Sequence, residues 1–112
     1  MLTCDEIRAL ALALPEAEEA PHFEATSFRV KGKIFATMGD DPQVTLKLDP
    51  EDQHNLSRAH PGAVRAVEGY WGRSGWTVVQ AGALTPETLA DLMRMAWVRV
   101  APKRLVKAFP TA

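Results

Sequence analysis

The sequence predicts an α+β fold: two layers, an antiparallel β-sheet with the N- and C-terminal helices packed on one of its faces. Three observations carry this. An apolar stripe at helical spacing opens the chain and a longer one closes it, each behind a recognisable cap. Between them, runs of alternating apolar and polar residues are separated by glycine and proline turns. The length, 112 residues at 46% hydrophobic and 24% charged, suits one domain over residues 1–112 with a single ordinary core.

The first helix starts at Thr3, an N-cap whose capping box is completed by Glu6. Ile7, Leu10, Ala11 and Leu14 follow on one face, and Pro15 ends the helix because its ring and missing N–H disrupt continuation. Residues 16–23 are expected to form an acidic connector that Pro21 keeps extended.

Residues 26–38, T-S-F-R-V-K-G-K-I-F-A-T-M, carry the hairpin signal, with Gly32 supplying the positive φ that a tight turn needs. Phe28 and Val30 point inward, and Arg29 and Lys31 outward. A two-residue loop at Lys31-Gly32 pairs Val30 with Lys33 and Phe28 with Phe35, whereas a three-residue loop pairs Val30 with Ile34. The two-residue loop is the expected one, because it sets the aromatics opposite each other. A turn at Gly39-Asp40-Asp41-Pro42 leads to a strand over 43–48, with Val44, Leu46 and Leu48 on one side and Thr45 and Lys47 on the other.

Asp49-Pro50 starts a short helix that runs to about Arg58, with Leu56 as its main apolar residue, and His60-Pro61-Gly62 stops it. Residues 64–71 and 76–80 are expected as two further strands around Gly72-Arg73-Ser74-Gly75. After a connector at 81–84, Thr85 and Pro86 open the closing helix. Its stripe is Leu89, Leu92, Met93, Ala96, Trp97 and Val100. Ala101-Pro102 breaks it, and residues 103–109 can add one or two basic helical turns.

Composition narrows the function. No apolar run approaches the roughly 18 residues of a membrane span, and the start turns acidic without a basic signal region. A lone cysteine, Cys4, excludes an internal disulfide framework and fits a cytoplasmic location. Net charge is −1, which argues against a protein that coats nucleic acid. The charge is uneven, however: residues 1–24 hold six acids against Arg8 alone, whereas no acid follows Leu92 and five bases do. Helix dipoles account for part of that bias.

Catalytic constellations are poor. His22, His54 and His60 lie at no metal-pair spacing, and there is no H-E-x-x-H, C-x-x-C, Walker, Rossmann or G-x-S-x-G pattern. Cys4 lacks an identifiable base, and Asp5 and Glu6 are explained by capping. Glu16, Glu18, Glu19 and Glu24 read better as a solvated acidic loop than as a cation site. The expectation is a non-enzymatic protein with no catalytic residues, no metal and no cofactor.

The binding candidates are cations: Arg29, Lys31, Lys33 and Lys47 on the sheet, Arg73 in the later turn, and Lys103, Arg104 and Lys107 near the end. Tyr70 and Trp71 lie beside Arg73 in sequence and are candidates for stacking. The competing reading is that Trp76 and Trp97 are core and the lysines keep a strand edge soluble.

Four segments together resemble the MmcQ/YjbR family: A-L-A-L-P-E-A-E-E, H-F-E-A-T-S-F-R-V-K-G-K-I-F-A-T-M, G-W-T-V-V and L-M-R-M-A-W-V-R-V-A-P-K-R-L. The most specific parts are S-F-R-V-K-G-K-I-F-A and A-W-V-R-V-A-P-K-R-L. The resemblance implies a frataxin-like, CyaY-like fold and a proposed DNA-binding role through a double-wing arrangement of strands. It implies no catalytic residues. Carried onto this chain, the contacts would be Arg29, Lys31, Lys33, Lys103 and Arg104. The fold's iron-binding relatives use a row of carboxylates along the first helix, which here has only Asp5 and Glu6.

Two functional readings follow. In the first, DNA phosphates meet the basic hairpin wing and the Lys103-Arg104-Lys107 cluster in weak, salt-sensitive binding. In the second, the open sheet face holds a peptide or a small anionic ligand. Neither involves a membrane.

Overall fold

The computed structural model describes residues 2–22, 25–39 and 43–108. Six strands among them form one antiparallel sheet in the order β1-β2-β3-β4-β6-β5. The strands are β1 Ala17–His22, β2 Ala25–Val30, β3 Lys33–Met38, β4 Gln43–Lys47, β5 Val64–Ala66 and β6 Trp76–Gln80. The helices are α1 Cys4–Leu12, α2 Pro50–Ala59, α3 Tyr70–Arg73, α4 Pro86–Val100 and α5 Lys103–Ala108. Helix α4 packs on β3 and β4, and α1 packs on α4 and β1, so both terminal helices cover the same face. None of the described helices is long and apolar enough to cross a membrane.

The local signals build the helices as expected. Thr3 accepts from the Glu6 amide while the Glu6 carboxylate accepts from the Thr3 amide, which completes the capping box and holds the Glu6 carboxyl below its usual range. Asp49 caps α2 and Thr85 caps α4, each with proline in the first turn. The stripe of α4 buries Leu89, Leu92, Met93, Ala96 and Trp97 against Phe28, Val30, Ala36, Met38, Val44 and Leu46 of the sheet. The indole N–H of Trp97 donates to the Pro15 carbonyl at 3.0 Å, satisfying a backbone oxygen just beyond the end of α1.

Three expectations need correction. Residues 16–23 are not all connector, because Ala17–His22 pairs with β2 along its whole length. This is an edge strand, where glutamates and Pro21 are tolerated because one backbone edge and one face meet water. Phe23 and Glu24 lie outside the described residues, as do Asp40, Asp41 and Pro42 of the next turn and Phe109 beyond α5.

The hairpin register is the expected one at its tip and shifts further on. Lys31 (φ 52°) and Gly32 (φ 80°) form a two-residue loop in the left-handed region, and Val30 pairs with Lys33. A bulge then leaves Phe35 as the extra residue, so Phe28 faces Ala36 rather than Phe35. The bulge lets Phe35 and Ala36 both be buried while Ile34 and Thr37 turn to the other face.

The third correction concerns residues 64–71. Strand β5 stops at Ala66, and the chain turns into α3, which carries Tyr70 and Trp71. Gly72 allows this. A Cβ there would sit 1.6 Å from the Val67 carbonyl oxygen, so only glycine lets α3 fold back this tightly on the end of β5. Trp76 departs from the core assignment as well: it is half-buried on the far face of the sheet, whereas Trp97 is fully buried.

Candidate functional site

The structure sorts the eight candidate cations into two groups. The first gathers where the hairpin turn meets α5. Glu16 follows Pro15 in a left-handed conformation (φ 55°) that aims its carboxylate across the end of the sheet. One oxygen pairs with Lys31 Nζ and the other lies 4.0 Å from Arg104 Nη1. The hydrogen bond from Lys31, aided by the charges of Lys31 and Arg104, holds the Glu16 carboxyl below its usual range. Lys33 leaves β3 on the side of Val30, its register partner, which is the helix side. Lys103 and Lys107 are exposed on the short helix that contains Arg104. Leu105 anchors that helix in the core. Lys31 and Arg104 thus meet at Glu16 from two distant parts of the chain, with Lys33 next to the hairpin turn and Lys103 and Lys107 on the helix of Arg104.

The second group lies on the open face. Arg29 stands opposite Ile34 in register and folds back along β2. Its Nε donates to Ser27 Oγ at 3.0 Å and its Nη2 to the Pro21 carbonyl at 3.5 Å. Lys47 donates to the Ser74 carbonyl at 2.8 Å and holds its ammonium 5.4 Å from the centre of the Trp76 ring. Arg73 ends α3 and is exposed. Tyr70 and Trp71 are 66% and 61% exposed, and their rings meet edge to face at 5.5 Å. The two stacking candidates therefore sit with Arg73 and Lys47, not with the α5 cluster.

This face also holds a cavity of about 520 Å³. Trp71, Trp76 and Val67 line it from the β6 and α3 side, with Ile34, Thr37 and Thr45 on the central strands and His22 at β1. The α3 mount is fixed by Gln53 of α2, whose side-chain amide donates to the Gly72 and Trp76 carbonyls and to Thr77 Oγ1 at 2.9–3.1 Å. The sequence pointed to the open sheet face but not to the residues that line this cavity, nor to the role of Glu16. One signal for the cavity was present: Ile34 is apolar at a position that the hairpin register places on the outward face.

Among the described residues, no group of three or more histidine, cysteine or acidic side chains is arranged to hold a metal ion. Cys4, at the start of α1, has its sulfur 3.8 Å from the Gly39 carbonyl oxygen.

No curated protein matches the chain. A solved structure is similar over almost all of it: the crystal structure of Deinococcus radiodurans protein DR2400, which has a DUF419 domain. The two share 29% identity with a TM-score of 0.76, over 99% of this chain and 84% of that one. The family model described as YjbR matches residues 12–99, which run from the end of α1 through nearly all of α4. With that match covering well over half of its length, the chain belongs to the YjbR family.

Proposed function

We propose that this protein is a non-catalytic module that binds the phosphate backbone of DNA, weakly and with little sequence preference. The contacts are Lys31 and Lys33 at the hairpin turn and Lys103, Arg104 and Lys107 of α5. One observation carries the reading: Glu16 ion-pairs with both Lys31 and Arg104, which brings the hairpin tip and the basic C-terminal helix to one carboxylate. A net charge of −1 limits the affinity, because the rest of the domain repels a polyanion. Arg29 and Lys47 are engaged elsewhere and are not assigned to this contact.

The test is fluorescence anisotropy of a labelled duplex at several salt concentrations. Five cations offset by one carboxylate give a slope of log affinity against log salt no steeper than about −4. Charge reversal of Lys103 and Lys107 together is expected to weaken binding at least about tenfold at low salt. Absence of binding at low salt and high protein concentration would overturn the reading, as would an affinity indifferent to salt.

A further inference from the structure

We propose that the open sheet face is a second, separate binding site, for a small planar aromatic molecule carrying one acidic group. This does not rest on the DNA reading, since it uses different residues on the other side of the sheet.

The occupant is argued from four features of the cavity. Its volume of about 520 Å³ lies within the range of small-molecule sites. It lies over β3 and β4, central strands whose backbone groups are paired on both sides, so a peptide cannot enter by adding a strand. Two indole rings, Trp71 and Trp76, line one side, and Trp71 stands 61% exposed beside the opening. A flat ring laid against Trp71 would remove this large apolar surface from water and stack on it.

The fourth feature is charge. Among the described residues the lining contains no acid. Arg29 is the register partner of Ile34 and Lys47 that of Trp76, two lining residues, while Glu18 of the edge strand β1 stands opposite Arg29. The guanidinium of Arg29 uses its Nε and Nη2 groups for Ser27 and Pro21 and retains donors at Nη1. Lys47 is held by the Ser74 carbonyl and the Trp76 ring, which fixes its positive charge beside the aromatic wall. Thr37 and Thr45, opposite each other in register, add two hydroxyls at the centre of the site. Apolar walls, flat rings and fixed cations together select an aromatic acid over a neutral aromatic or an aliphatic acid.

The experiment compares two fluorescent probes on the intact protein: anilinonaphthalene sulfonate, and phenylnaphthylamine, which has the same rings without the sulfonate. The sulfonate is expected to saturate at one molecule per chain and to bind at least about fivefold tighter than the neutral probe. Trp71→Ala, a change at an exposed position, is expected to weaken both probes about tenfold. Arg29→Gln is expected to weaken the sulfonate about fivefold and leave the neutral probe unchanged. Lys103→Glu, in the proposed DNA contact, is expected to change neither. The proposal is overturned by equal affinity for the two probes, by binding that survives Trp71→Ala unchanged, or by sulfonate binding that depends on Lys103. Weakened DNA binding in the Lys103 variant with probe binding intact separates this site from the other.

Discussion

Lys31 at the hairpin tip and Arg104 on the C-terminal helix approach the two oxygens of one carboxylate, that of Glu16. The contact ties the hairpin to a basic segment far from it in sequence. It also explains a local oddity. Glu16 is one of two non-glycine residues with positive φ among the described residues, and the other is Lys31, its partner. Two residues held in the left-handed region, at a cost of roughly 1–2 kcal/mol each, face each other across an ion pair.

Replacing Glu16 tests whether that pair is structural or inhibitory. Glu16→Gln keeps the side-chain size and removes the charge, so Lys31 and Arg104 become available to another anion. Duplex DNA is expected to bind about two- to fivefold tighter to this variant at low salt, with a slightly steeper salt slope. Anisotropy titrations check this, and a loss of affinity would show that Glu16 builds the surface rather than competing for it.

Acid should dissolve the same contact. The Glu16 carboxyl titrates below its ordinary value of 4.5 in the folded protein, chiefly because Lys31 donates to it. A depressed carboxyl stabilises the fold above its unfolded pKa, and that contribution fades as pH falls through the lower folded value. The difference in thermal midpoint between wild type and Glu16→Gln is therefore expected to be small and constant above about pH 6 and to shrink below 4.5. Glu6 shifts in the same direction through its capping box, so both proteins should lose some stability on acidification. Thermal melts from neutral pH downward check this, and a difference that widened in acid would contradict the assignment.

The wall of the open-face cavity depends on a residue with no side chain. Gly72→Ala places a Cβ 1.6 Å from the Val67 carbonyl oxygen, a backbone atom that cannot rotate away. The expected cost is about 3 kcal/mol or more, with displacement of Trp71. Gly39→Ala, where a Cβ meets nothing within 4 Å, is expected to change stability by less than about 0.5 kcal/mol. Urea unfolding of the pair decides the point.

These cases mark where the sequence was legible. Caps such as Thr3 with Glu6, and Asp49 or Thr85 before proline, act within one helical turn, so their chemistry is visible in a few adjacent letters. The α4 stripe is visible because one helix face repeats its burial over four turns. The bulge at Phe35 is not visible, since it answers to the fit of β3 between β2 and β4. Nor does the strand status of Ala17–His22 show, because an edge strand places few demands on its own residues. The two candidate sites are harder still. Each is assembled from side chains on at least three elements, and neither Glu16 nor His22 belongs to a local pattern that announces it.

Trp97 connects the core to the basic surface. It is fully buried, and its indole N–H satisfies the Pro15 carbonyl immediately before Glu16. Trp97→Phe removes that donor and part of the ring, leaving a small cavity and an oxygen that has lost this partner. The expected loss is about 2–3 kcal/mol, measurable by urea unfolding. A purely packing role would leave the behaviour of Glu16 intact, and the effects of Trp97→Phe and Glu16→Gln would then add. If Trp97 instead fixes the turn that aims Glu16, the two should be coupled: Glu16→Gln in the Trp97→Phe background should change DNA affinity less than it does alone. The coupled outcome is the expected one, because the hydrogen bond ends one residue from Glu16 and contacting sites are seldom additive.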